Sequence, residues 1–194
     1  MGRYEVTQAQ WQAAMGSNPA YFQNASAVVP ASQVPNRPIE QVSWDTIQGF
    51  LTNTGMRLPT EAEWEYAYRA GTTTAFHSMP GYPNGTNADS QLGMIAWHYS
   101  NSGAQTHPVG QKAGNGFGLH DMSGNVFEWV KDWYSATYYS ISPTSDPQGP
   151  MSGTPRVIRG GFWNNHSYSC RASYRGFATS YPFNDTGFRA VRNP

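Results

Sequence analysis

RVIRGGFWNNHSYSCRASYRGFATSYPFNDTGFRAVRNP, residues 156–194, alternates two kinds of residue. Val157, Ile158, the pair Gly160-Gly161, Arg171, Arg175, Pro182 and Gly187-Phe188-Arg189 read as a framework. Between them stand Asn164, Asn165, His166, Tyr168, Tyr174, Phe177, Ser180, Tyr181 and Phe183, with neither strand nor helix periodicity. Tyr, Ser, Gly and Asn build adaptable recognition surfaces, in which aromatic anchors are set among flexible hydrogen-bonding groups. A stretch of this kind serves either catalysis or binding.

Outward from it, Arg156–Gly160 and Gly187–Arg192 predict two strands that bracket the segment, and Asp121–Tyr134 predicts a third of mixed burial. Thr7-Gln-Ala-Gln10 is a capping box and predicts a helix over Thr7–Met15, stopped near Gly16 and Pro19. Ser43-Trp-Asp-Thr46 opens a second helix, with Trp44, Ile47, Phe50 and Leu51 at helical spacing and Gly55 as its stop. A second capping box, Thr60-Glu-Ala-Glu63 after Pro59, opens a third. Glu61 and Glu63 lie in its first turn, Arg69 in its last and Gly71 beyond, with Trp64, Ala67 and Tyr68 as its buried stripe. Residues 17–41 and 135–155 read as loops. Residues 71–116 read as long ordered loop with short strands near Ile95–His98 and Pro108–Val109. Long loops inside a compact domain are functional or held by ions.

At 194 residues the chain fits one domain with a real core, and nothing along it marks a linker or repeat, so residues 1–194 are expected to form a single unit. Only 12% of residues are charged and the formal net charge is zero, which excludes the clustered basic footprint of a nucleic-acid binder and polybasic membrane attachment. Aromatics reach 14%, so rings fill much of the core. No apolar run approaches the ~18 residues of a membrane span, and MGRYEVTQAQW carries no signal-peptide core. A single cysteine, Cys170, forbids an intrachain disulfide.

Several motifs then line up in order: Tyr4-Glu-Val-Thr7, Pro38-Ile-Glu-Gln-Val-Ser-Trp44, Arg57-Leu-Pro-Thr-Glu-Ala-Glu-Trp-Glu-Tyr66, Asn115-Gly-Phe-Gly-Leu119, Asp121-Met-Ser-Gly-Asn-Val-Phe-Glu-Trp129, Arg159-Gly-Gly161 and Gly187-Phe-Arg189. Together they resemble the formylglycine-generating (sulfatase-modifying factor) domain family from Gly2 to Arg192. The resemblance implies an α+β, C-type-lectin-like fold: short antiparallel strands, two to three helices and much ordered loop. It also implies a further N-terminal stretch before the Tyr4 motif, so the chain reads as a fragment or a minimal version.

The family holds several functions, and fold does not choose among them. Its oxidising members use a C-terminal cysteine pair to bind copper, because soft thiolates suit Cu(I). By the resemblance one of those positions is Asn165 here and the other matches Cys170, so the oxidase, or a related sulfatase-modifying enzyme, is the disfavoured alternative. Iron-dependent relatives need a histidine cluster, whereas residues 77, 98, 107, 120 and 166 are scattered. Other members resemble the variable proteins of diversity-generating retroelements. There a C-terminal segment is rewritten at template adenines, mostly in Asn codons, while the framework stays fixed.

Residues 162–183 resemble such a product. The expected surface is Phe162, Asn164, Asn165, His166, Tyr168, Tyr174, Phe177, Ser180, Tyr181 and Phe183. The expectation is a non-catalytic receptor- or adhesin-like module with a protein or glycan ligand on a cell surface and display on a virion or cell surface; no anchor is visible in the chain. Asn125, Val126 and Glu128 resemble the family's calcium-holding segment, and carboxylate, amide and carbonyl oxygens suit Ca²⁺.

Overall fold

A computed structural model describes residues 1–179 and 181–192. Three helices form where the caps place them. α1 spans Gln8–Met15, α2 Trp44–Thr54 and α3 Glu61–Arg69, capped by Thr7, Ser43 and Thr60, whose side chains accept backbone N–H bonds of the first turn. Both capping boxes are closed reciprocally by Gln10 and Glu63. Gly16 and Gly55 end α1 and α2 in the left-handed conformation, but α3 ends on Ala70 at φ 44, one residue before the expected Gly71.

The strands are shorter than the helices suggest. β1 is Ala96–Trp97, β2 Ser123–Gly124, β3 Phe127–Trp133, β4 Arg156–Arg159, β5 Gly176–Ala178 and β6 Thr186–Gly187. The main sheet runs β5-β4-β3-β6, with β3·β4 and β4·β5 antiparallel and β3·β6 parallel, and β1 pairs β2 in parallel. The expectation of short antiparallel strands is corrected in these two pairings. No strand forms at Pro108–Val109, and after Gly187 the described residues make one isolated bridge, Val191 to Arg57. β5 lies inside the segment that shows no strand periodicity in the sequence.

Aromatics hold the layers. Trp11 stacks on Phe50 at 5.6 Å, and both set edges on Phe188 at 6.1 and 5.3 Å, joining α1, α2 and the C-terminal segment. Trp64 and Tyr68 of α3 cover Val130 and Val157 of the sheet in a second cluster. Gly187 lies so close to the Ile39 carbonyl that any Cβ would collide with it, which accounts for glycine in the Gly187-Phe-Arg189 motif. Among the described residues no helix is long and apolar enough to cross a membrane.

Candidate ligand-binding face

The segment after β4 begins on Gly160 and Gly161, at φ 95 and 78, and a Cβ on Gly161 would stand 2.7 Å from Cys170 Sγ. The chain then turns at Phe162–Asn165. The Asn165 N–H donates to the Phe162 carbonyl at 2.9 Å, the Phe162 N–H donates to Asn165 Oδ1 at 3.2 Å, and the Asn165 carbonyl accepts the Tyr99 N–H at 3.0 Å. Asn165 is thus committed to shaping its own turn.

The expected surface residues divide. Asn164 and His166 are exposed, as are Tyr168 (68%), Phe177 (58%), Tyr181 (66%) and Phe183 (44%). Phe162 and Tyr174 turn inward, half-buried, with rings 5.4 and 6.3 Å from that of Phe127 in the core. Ser180 lies outside the described residues. The exposed rings are seated on others: Tyr168 on Tyr174, Tyr181 on Phe183, Phe177 on Tyr134 and His166 on Tyr99. A chain of ring contacts, Tyr168–Tyr174–Phe127–Phe162–Trp163–Phe22–Tyr21, runs beneath the face from one exposed tyrosine to another. Tyr21 (61% exposed) and Tyr99 (57%) are contributors that sequence reasoning missed. Each sits in a distant loop with no local signal to tie it to this segment.

Buried charge fixes the framework. Arg175 donates to both Glu61 carboxylate oxygens at 2.7 and 2.8 Å, and Arg159 reaches Glu61 and Glu65 at 3.2 and 2.6 Å. Arg175 also lies over the rings of Tyr134 and Tyr139, and Arg171 pairs with Asp89 at 2.9 Å. The segment is therefore anchored to α3 by the Arg175–Glu61 pair and to the 3-10 turn at Asp89–Met94 by a surface pair.

Beneath β3, Glu128 is 1% exposed, and its carboxylate accepts from Arg189 Nε and Nη2 at 2.6–2.9 Å and from Trp64 Nε1 at 2.6 Å. Asn125 Oδ1 accepts the His107 N–H at 2.9 Å, and its amide donates to Glu5 Oε2 at 2.7 Å. The Val126 N–H donates to Glu5 Oε1 at 3.2 Å. Asn125, Val126 and Glu128 therefore do not fit a calcium ion: the carboxylate is taken by a guanidinium and an indole N–H, and the amide oxygen by the backbone. Among the described residues no group of three or more His, Cys, Asp and Glu is placed to hold a metal.

Glu5 and Asp121 share that interior. Burial, then each other's charge, holds Glu5 well above its ordinary value, and burial raises Asp121 to about 6. Arg189 stays cationic: burial opposes its charge, but Glu128 beside it holds its pKa above the usual value.

Cys170 is fully buried, and burial pushes its thiol up to about 12. A lone thiol kept protonated is a poor nucleophile and a poor soft-metal donor. His77, His107 and His120 bond carbonyls of Ser78, Ser102 and Lys112, as loop-forming histidines do.

The profile of the sulfatase-modifying factor enzyme 1-like domain matches residues 1–194. The chain is 40% identical over 145 residues to a formylglycine-generating enzyme of Streptomyces coelicolor, covering 72% of this chain and 45% of that protein. Over 205 residues it is 36% identical to that of Thermomonospora curvata, covering 97% and 66%. It thus spans about two thirds or less of these relatives. Among solved structures, Treponema denticola variable protein 1 superposes with a TM-score of 0.83 at 30% identity, covering 98% of this chain and 84% of that one. PvdO from Pseudomonas aeruginosa gives 0.75 at 27%, covering 97% and 77%. On its fold, its ordered motifs and this full-length match, the chain belongs to the sulfatase-modifying factor enzyme 1-like domain family.

Proposed function

We propose that the chain is a non-catalytic binding module whose ligand contacts come from residues 162–183, in the manner of the variable proteins of diversity-generating retroelements. The observation that carries this reading is the fate of the two positions where the oxidising relatives use thiolates: Asn165 closes a turn and Cys170 is a buried, protonated thiol. Around them Tyr168, Phe177, Tyr181 and Phe183 present rings to solvent on an anchored backbone. Rigid aromatic anchors of this kind are what binding hot spots use. The superposition on Treponema denticola variable protein 1 supports the same reading. Its partner is a protein or glycan displayed on a cell surface.

The 40% identity to a formylglycine-generating enzyme favours a second reading, an oxidase. Titration with Cu(I) under anaerobic conditions, followed by assay of a cysteine-containing peptide for aldehyde formation, separates the two. No stoichiometric tight copper and no aldehyde is the outcome expected of a binding module. Tight copper with turnover establishes the oxidase.

A further inference from the structure

Glu40 follows the 3-10 turn at Ala31–Asn36 and is fully buried. Its Oε1 accepts the Phe22 N–H at 2.9 Å. Oε2 has no partner. Arg37, three residues earlier, gives Nη2 to Gln105 Oε1 at 2.8 Å and leaves its own buried Nε unpartnered, so it does not close an ion pair with Glu40. Buried carboxylate oxygens are seldom left this way.

The residues that Glu40 holds lead to the candidate face. Phe22 sets its edge on Trp163 at 5.5 Å, and the Trp163 indole N–H donates to the Asn184 carbonyl at 3.2 Å. The Gln41 N–H, next in the chain, donates to the Phe183 carbonyl at 2.9 Å. Glu40-Gln41 thus ties the Tyr21–Phe22 turn on one side to Trp163 and Phe183 on the other.

We propose that Glu40 is the proton-sensing element of a latch that seats the Tyr21–Val28 loop against Trp163 when its carboxyl is neutral and releases the loop when it ionises. A neutral carboxyl suits a dry site with an unpartnered oxygen. An ionised one needs hydration that only opening of the loop supplies. The charged and titratable groups facing it are few. Arg37 lies on its own segment, Asp185 acts from the C-terminal segment, Tyr21 is the one titratable side chain of the loop, and His107 reaches the site through Arg37. Burial first, opposed by the backbone N–H groups of Phe22 and Tyr21 and by Arg37 and reinforced by Asp185, raises Glu40 to about 7. A raised value in the closed form means that closure is favoured at low pH and lost as pH rises through about 7. The latch holds whether or not the face binds a partner.

Hydrogen exchange of the peptide covering residues 20–29, read by mass spectrometry and corrected for intrinsic rates, tests it on the intact chain. Linkage predicts roughly thirtyfold less protection at about pH 8.5 than at about pH 5.5, and a flat profile in Glu40→Gln, which mimics the neutral form. A flat wild-type profile, or an unchanged slope in Glu40→Gln, overturns the proposal. Should Glu40→Gln fail to fold, Asp185→Asn carries the test. Removal of the facing charge moves the midpoint to lower pH, and an unmoved midpoint overturns the latch.

Discussion

Replacement of Arg189 by methionine probes the interior that the fold is built around. The guanidinium is fully buried, donates to both Glu128 oxygens, and also bonds the carbonyls of Gly2 and His120 at 3.1 and 2.9 Å. Methionine fills much of the volume but leaves Glu128 with only the Trp64 indole among side-chain donors, beside Glu5 and Asp121. Removal of one partner of a buried ion pair costs about 3–5 kcal/mol, because the other charge is stranded. For a domain of this size each kcal/mol moves Tm by about 2–4 °C, so a fall of about 6–20 °C is expected. Scanning calorimetry of Arg189→Met, Glu128→Gln and the double variant measures it. The double variant regains a large part of the loss, since no stranded charge remains. The Arg189→Met deficit is smaller at about pH 5 than at about pH 8, where Asp121 is ionised. A deficit under about 1 kcal/mol, or a double variant as unstable as the sum of the singles, refutes the reasoning.

Tyr168→Ala, Phe177→Ala and Tyr181→Ala, whose rings are mostly exposed, each change unfolding free energy by about 1 kcal/mol or less in urea denaturation. The same measurement on Trp64→Ala, fully buried, gives a loss of about 3–5 kcal/mol. Burial raises Asp132 and Asp121 to about 6 and Glu40 to about 7, so these groups contribute stability below about pH 4 that is lost as pH rises through about 6 to 7. Urea midpoints that rise steadily from pH 5 to 8 contradict that sign. Added Ca²⁺ leaves Tm unchanged, because Glu128 and Asn125 are already engaged; a dose-dependent rise restores the calcium site.

The helices were legible because their signals are local. Thr7, Ser43 and Thr60 each cap within three residues of themselves, and the Trp64–Ala67–Tyr68 stripe announces its buried side. The sheets were less so. The Ala96–Ser123 and Phe127–Thr186 pairings join residues far apart in sequence through β1, β2 and β6, strands of two residues, too short for alternation to register. β5 was hidden because Gly176-Phe-Ala178 carries only one outward ring. Of the candidate face, the exposure of Tyr168, Phe177, Tyr181 and Phe183 followed from their position between framework residues. The inward turn of Phe162 and Tyr174 did not, since only the three-dimensional approach of Phe127 decides it. Glu128 was read as a calcium ligand because its partner Arg189 lies 61 residues away in sequence.

The proposed function rests on residues 162–183 being rewritten while Gly160, Gly161, Arg171, Arg175, Gly187 and Arg189 stay fixed. Sequencing the source locus together with sibling copies measures this directly. The expected result is a near-identical template repeat beside a reverse-transcriptase gene, differing from the coding copy at adenines, with substitutions concentrated at positions such as Asn164, His166, Tyr168, Phe177 and Tyr181. Sibling copies with no excess change at those positions, and no such repeat, contradict it.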